Sequence, residues 1–466
     1  MSRETSRLSA TIADHIAAAK FSDLPSNTVA AGKRAILDGI GVMLAASGLS
    51  QDAAPFTALA RSTGGHTQAT LLGYRDRVSA PMAALANGAL AHALDFEDAF
   101  DPAPLHPNAS LIPAALAIAE LKQPISGQEF VVAVAVGCDL ACRIGLSLRR
   151  SLESGGWYPP PIIGAFGAAA AASVLLKSSG RQVLDTFSLL LGQNSCPGEI
   201  KRSAETVIRA VREAFPAQAA VTSALLAAGG VRGYDQPFEG RYGFFSLFAG
   251  GEYEPHDLLA DLGQRYWIED LSFKQWPCCR GTHAFIEAAQ VLRRQHAFDL
   301  DAVEKLLLFG GPTQQMLCEP LDQKLEPRTQ IDAKFSLPFV TAAALVEPEI
   351  GLASFDAKRL RDPRVLSMAK KTEFRADPRF ASNAAGGALR ILLKDGRQLQ
   401  HGIEHALGDP KRPLSDAALR AKFVDCAASA ATRIETAAAQ RLADRIFALD
   451  QEIDAGLVLS ARDAFG

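Results

Sequence analysis

Residues 87–120 read NGALAHALDFEDAFDPAPLHPNASLIPAALAIAE, two Ala-rich apolar runs on either side of a short loop crowded with acid. Ala and Leu are strong helix formers, and Met82, Leu85, Ala89, Leu90 and Ala93 recur at helical spacing. Ser79-Ala80-Pro81 supplies a cap with proline near the first helical position. The second helix is expected from about Ser110 onward, through Leu111, Leu116 and Ala119. Asp95, Glu97, Asp98 and Asp101 then follow the negative end of one helix dipole, and His106 precedes the positive end of the next.

That placement has chemical consequences. Asp95, if buried beside other carboxylates at a helix C-terminus, can serve as a general acid or base. The N–H groups opening the second helix suit an anionic ligand. By charge patterning Glu97, Asp98 and Asp101 read as a solvated turn, whereas the apolar residues beside Asp95 and His106 point these two inward. His92 and Asp95 lie three apart on one helix, where a histidine reads as a packed core residue.

Of 466 residues, 48% are hydrophobic and 21% charged, and the net charge is -3, a globular balance with length for two or three cores. No basic run with interleaved aromatics points to nucleic acid, so no nucleic-acid partner is expected. The opening MSRETSRLSATIADHIAAAK has no apolar leader core, and stretches such as 160–176 are Gly-interrupted and short for a membrane span. Seven cysteines without a CxxC pair weaken zinc, iron–sulfur and thioredoxin-like readings, and point to a reduced, cytoplasmic protein. GxGxxG, P-loop and GxSxG patterns are missing from the sequence, so nucleotide cofactors and serine-hydrolase chemistry lack support.

The first two hundred residues read as successive helices, with candidates at 9–20, 26–46, 162–176 and 182–191. Ser126 and Glu129 form a capping box for another that runs to about Arg150. Pro159, Pro160 and Pro161, after Gly155 and Gly156, predict a rigid loop around Tyr158. Residues 200–227 predict two helices meeting near Pro216, the first placing Arg209 and Arg212 on one face. Paired guanidiniums offer fixed, forked donors for carboxylates; their other reading is a solvated basic face. Further on, VEKLLLFGG predicts a strand, and 389–402 a hairpin turning at Asp395-Gly396. The expected fold is mainly α. A large helical domain is built from both chain ends (1–268 and 406–466), with a smaller inserted α+β domain at 269–405.

Lys274 lies in SFKQWPCCRGTHAF beside Phe273 and Trp276, which predict desolvation and a lowered pKa, and Arg280 and His283 follow it. His401 and His405 would mimic a zinc pair if helical, but they follow a hairpin and have no third ligand of matching spacing. No metal or organic cofactor need be invoked.

NGALAHALDFED…HPNASLIPAALAIAE resembles the signature of the MmgE/PrpD family, which includes 2-methylcitrate dehydratases, cis-aconitate decarboxylases and an iminodisuccinate epimerase. The likeness continues in KRAILDGIGVMLAASG, FEGRYGFFSLF, SFKQWPCCRGTHAFIEAA and AKFSLPF. It implies the two-domain division above, a homodimer and a site containing Asp95, His106 and Lys274. Tyr158 stands where the family often has histidine, Arg209 and Arg212 where it commonly has Lys-x-x-His, and Phe339 where it commonly has tyrosine. The resulting expectation is catalytic Asp95, His106, Tyr158 and Lys274, with Arg209, Arg212, Arg280 and His283 binding substrate. Those departures favour a cofactor-independent epimerase that moves a proton α to a carboxylate of a polycarboxylate such as iminodisuccinate. The alternatives are a 2-methylcitrate dehydratase-like or cis-aconitate decarboxylase-like lyase, and a non-catalytic polycarboxylate-binding relative.

Overall fold

The computed structural model describes residues 7–103, 105–203 and 205–465. The first six residues, part of the stretch read above as lacking a leader core, lie outside the described residues. Among the described residues ten α-helices lead the chain: α1 Leu8–Ala18, α2 Ser26–Leu49, α3 Ala54–Ser62, α4 Ala80–Ala93, α5 Pro107–Leu121, α6 Gly127–Ser147, α7 Pro159–Leu175, α8 Gly180–Leu191, α9 Ile208–Val211 and α10 Ala214–Ala228. The fold is mainly α.

Helices α5, α6 and α7 pack on one another, and α10 lies across α4, α5, α7 and α8. Ala-rich faces let these axes approach closely. A Cβ on Gly137 of α6 would meet the Gly167 carbonyl of α7 at 2.5 Å, so only glycine fits that crossing. Helix α6 is the one helix among the described residues long and apolar enough to cross a membrane. It is buried against α2, α5 and α7. Its capping box forms: the Ser126 hydroxyl accepts from the Glu129 N–H at 3.2 Å, and the Ser126 N–H donates to the Glu129 carboxylate at 2.9 Å.

Three local expectations need correction. Helix α5 starts at Pro107, earlier than Ser110, because proline suits a first turn whose N–H groups have no intrahelical partner. Pro159, Pro160 and Pro161 are likewise the first turn of α7, and not a loop. Between residues 200 and 227 the break falls at Arg212–Glu213, so Arg209 sits on a single turn and Pro216 inside the first turn of α10.

A small ribbon pairs β1 (Ala69–Thr70) with β2 (Arg77–Val78). The main sheet has the order β4 (Thr372–Ala376), β3 (Val303–Gly310), β5 (Gly387–Leu393), β6 (Gln398–Ile403). Strand β3 runs parallel to β4 and antiparallel to β5, and β5–β6 is the expected hairpin, with Gly396 at φ 87° in its turn. His401 therefore lies on a strand and His405 beyond it, which removes the helical zinc-pair geometry. The helix His283–Gln295 packs on β5 and β6, and the helices Asp416–Ala428 and Thr436–Phe447 return to pack on α2.

Candidate active site

The C-terminal end of α4, the loop after it and the N-terminus of α5 meet the start of α10 and the segment that contains Lys274. Gly88 sets the spacing: a Cβ there would meet the Glu213 carbonyl at 2.5 Å, so its absence lets α10 bring Arg212 and Glu213 against His92. An antiparallel bridge between Ala99 and Ser272 ties the acidic loop to the Lys274 segment.

Asp95 and Lys274 are both completely buried and face each other, the Lys274 ammonium donating to the Asp95 carboxylate at 2.8 Å and to the Asp95 carbonyl at 2.9 Å. Asp95 adopts a left-handed backbone (φ 50°), which aspartate tolerates better than most residues. The expected lowering of the Lys274 pKa is overturned. Burial does pull it down, but the carboxylates of Asp95 and Glu97 outweigh burial and hold the ammonium above its ordinary value.

The solvated-turn reading fails for Glu97 and Asp98, which are 1% and 0% exposed. The loop folds back under α5 because histidines supply partners for its acids. Glu97 accepts from His92 Nδ1 and lies 3.2 Å from His106 Nδ1. Arg212 Nη1 donates to His92 Nε2, so His92 is the Nδ1–H tautomer and neutral. Burial, reinforced by the Arg212 charge, holds His92 well below its ordinary pKa. His106 donates Nδ1–H to the Asp98 carbonyl at 2.8 Å, which leaves Nε2 as a lone-pair acceptor. Burial and then the Lys274 charge hold His106 well below the usual histidine range. Burial, with the Asp38 and Glu97 carboxylates, pushes Asp98 up to about 8.

Arg209 and Arg212 form a shelf beside this cluster. The Arg209 guanidinium lies flat on Phe335, 3.4 Å from the ring centroid. Arg212 holds Glu213 through Nε at 3.1 Å and the Arg209 carbonyl through Nη1 at 2.8 Å. The Tyr158 ring lies under both, 5.9 Å from the Arg209 and 5.1 Å from the Arg212 guanidinium carbon. Arg209 Nε, Arg212 Nη2, Asp95 Oδ2, Glu97 Oε2 and both amide atoms of Asn108 are buried without a hydrogen-bond partner among the described residues. Each such atom costs about 1–3 kcal/mol, a cost that a polar ligand with matching groups relieves.

Arg280 and His283 stand apart from that shelf. Arg280 donates to Asp101 at 3.1 Å, to the Leu407 carbonyl at 3.0 Å and to the Ala406 carbonyl at 3.3 Å. His283 donates Nε2–H to the Cys278 carbonyl at 3.3 Å and packs edge-on against Trp276. Phe339 is buried in the helix Leu337–Val346. All seven cysteines are unpaired.

Sequence reasoning missed Glu97, Asp98, Arg212's histidine partner and Lys334. Lys334 is buried, and desolvation lowers its pKa to about 8. The sequence signal for it was AKFSLPF, quoted above only as a family motif. One ligand atom each from His92, Asp95, Glu97 and His106 falls within 4.8 Å of the others, a donor set of the kind that holds a divalent metal. Arg212 already donates to His92, however, and Lys274 to Asp95, so two cations touch two of the four donors and would repel a third. The arrangement fits a proton-transfer network with an anion shelf better than a metal centre.

The MmgE/PrpD N-terminal domain matches residues 10–256 and the MmgE/PrpD C-terminal domain residues 276–448. A cis-aconitate decarboxylase-like protein of Aspergillus oryzae is 28% identical over 95% of this chain and 94% of its own length. The cis-aconitate decarboxylase of Mus musculus is 26% identical over 87% of this chain and 83% of its own, and that of Aspergillus terreus 25% over 93% and 91%. With both domains matched in order across most of its length, the chain belongs to the MmgE/PrpD family.

Proposed function

We propose that this protein is a cofactor-independent lyase acting on a polycarboxylate by proton transfer, with decarboxylation of cis-aconitate as its reaction. The observation that carries the reading is the buried Lys274–Asp95 pair and neutral His106 beside two guanidiniums with unpaired N–H groups. The names of the relatives support decarboxylation over the epimerisation expected from the sequence. Loss of CO₂ breaks a carbon–carbon bond and leaves its electron pair on the skeleton. One proton delivered to carbon completes the product. In this reading the Lys274 ammonium or the Tyr158 hydroxyl delivers that one proton to carbon, His106 Nε2 takes a proton from solvent and passes it to the spent donor, and Arg209 and Arg212 hold the remaining carboxylates. Arg280 and His283, whose donors are engaged by Asp101 and main-chain carbonyls, hold the Lys274 segment and do not clamp substrate.

Epimerisation of iminodisuccinate is the second reading, favoured by the paired guanidiniums and by Phe339, which withholds a hydroxyl that leaving-group chemistry would use. We also take the chain as a helical body (1–268 and 406–466) with an inserted α+β body (269–405), paired as a homodimer.

The test is incubation in D₂O with cis-aconitate, iminodisuccinate and 2-methylcitrate, without added metal or cofactor. Decarboxylation gives CO₂ and itaconate containing one deuterium at carbon. Substrate returned with deuterium at an inverted carbon overturns it in favour of the epimerase, and an ultraviolet-absorbing alkene from 2-methylcitrate in favour of the dehydratase. Tight binding without turnover of any of the three leaves the non-catalytic relative.

A further inference from the structure

The chain leaves α4 through three residues whose backbone carbonyls each accept from a different lysine, Lys274 and Lys334 buried and Lys422 half-buried. Lys334 donates to the Leu94 carbonyl at 2.6 Å, Lys274 to the Asp95 carbonyl at 2.9 Å and Lys422 to the Phe96 carbonyl at 2.7 Å. These lysines come from the helix Gln330–Lys334, from the segment after Ser272 and from the helix Asp416–Ala428. Each has a second grip. Lys334 also holds the Pro277 carbonyl at 2.8 Å, Lys422 the Lys274 carbonyl at 2.9 Å, and Lys274 the Asp95 carboxylate. The outer two lysines thus fasten the Leu94–Phe96 turn to the segment that contains Lys274, one at each end.

A helix end needs no such device. Orphaned C-terminal carbonyls are usually satisfied by a glycine in the left-handed conformation, by water or by one exposed cation. Here the left-handed residue is Asp95 itself, whose N–H bonds back to the His92 carbonyl at 2.8 Å. Three ammonium groups buried around one turn also repel one another. Asp95 pairs with Lys274 and Asp38 with Lys422, while Lys334 lies over the Phe355 ring with no carboxylate in contact among the described residues. The repulsion is tolerated at a place where the direction of one carboxylate matters.

We propose that Lys334 and Lys422 are positioning residues: they hold the Leu94–Phe96 turn so that the Asp95 carboxylate meets Lys274 beside His92. The inference rests on the reading of Lys274 as a reacting group and of Asp95 as the carboxylate that holds it.

The experiment uses full-length Lys334→Met, Lys422→Met and Lys422→Arg, with the double variant Asp38→Asn/Lys422→Met added so that no buried carboxylate is left unpaired if Lys422→Met fails to fold. On whichever polycarboxylate the unmutated protein turns over, kcat falls ~10–100-fold in the Met variants, as for a reacting group misplaced by about an ångström, and KM changes by less than ~3-fold. Lys422→Arg, which keeps donors for both carbonyls, recovers most of the loss. Crystal structures of the Met variants show Asp95 out of its left-handed conformation or separated from Lys274. Folded Met variants with unchanged kcat, or with Asp95 still seated on Lys274, overturn the proposal. If the unmutated protein turns over none of the three substrates, the functional reading fails, and the crystal structures alone decide the cradle.

Discussion

Arg280 and the Arg209/Arg212 pair are both buried arginine sites, yet they do opposite work. Arg280 ends on Asp101, on the Ala406 and Leu407 carbonyls, on His283 Nδ1 and near Asp409, so its charge and its donors are consumed in joining the acidic loop to the 406–407 turn. Arg209 spends its face on Phe335 and keeps Nε unpaired, and Arg212 keeps Nη2 unpaired beside the acid/base cluster. Charge alone does not mark a binding site. Unspent hydrogen-bonding capacity held out of water does, because only a ligand can repay its desolvation.

The largest expected effect is at the centre of the unspent region. Asp95→Asn and Lys274→Met each lower turnover by ~10²-fold or more, which steady-state kinetics checks against thermal melts showing a folded protein. Since either single change leaves a buried charge without its partner, the double variant serves as the folded control. Full turnover in folded variants would move the chemistry elsewhere.

Three arginine variants separate the two kinds of arginine site. Arg209→Met and Arg212→Met raise KM ~10–100-fold, the worth of a charge-assisted hydrogen bond to a substrate carboxylate. Arg280→Met leaves KM within ~3-fold and lowers the melting temperature, since the Leu407 carbonyl loses its donor and Asp101 and the Ala406 carbonyl each lose one of two. Equal KM effects from all three would erase the distinction drawn here.

The smallest effect is one of pH. Asp98 is held at about 8 in the folded protein, above its unfolded value. Below the unfolded pKa both states carry the proton and its contribution is fully present. As pH rises toward 8 the unfolded state ionises first, so stability declines across that window. Asp98→Asn flattens this part of the profile and raises the melting temperature near pH 8, and an unchanged slope in thermal melts would deny the shift.

Much of the site was legible from local pattern. Asp95, His106 and Lys274 were marked by apolar neighbours, and Arg209 and Arg212 by their nearness in sequence, although the helix expected to carry both ends at Val211. The reading failed where charge was judged without its partners. Glu97 and Asp98 look like a solvated turn because nothing nearby in sequence shows that Arg212, more than a hundred residues on, stabilises the histidine that Glu97 binds. Lys274 looked like a lysine lowered by burial, because desolvation follows from neighbouring residues whereas the opposing carboxylates follow from the fold.

Local sequence was enough for most of the helices, the Ser126–Glu129 capping box and the β5–β6 hairpin, which depend on interactions within a few residues, though not for where α5, α7 and α10 begin or for a Ser79 side-chain cap, which does not form. Only the tertiary structure decided which charges are paired, which protons are held and which donors are left open. Those outcomes depend on distances between segments such as 94–96, 209–213, 274, 334 and 422, and Coulomb and hydrogen-bond energies act across space rather than along the chain.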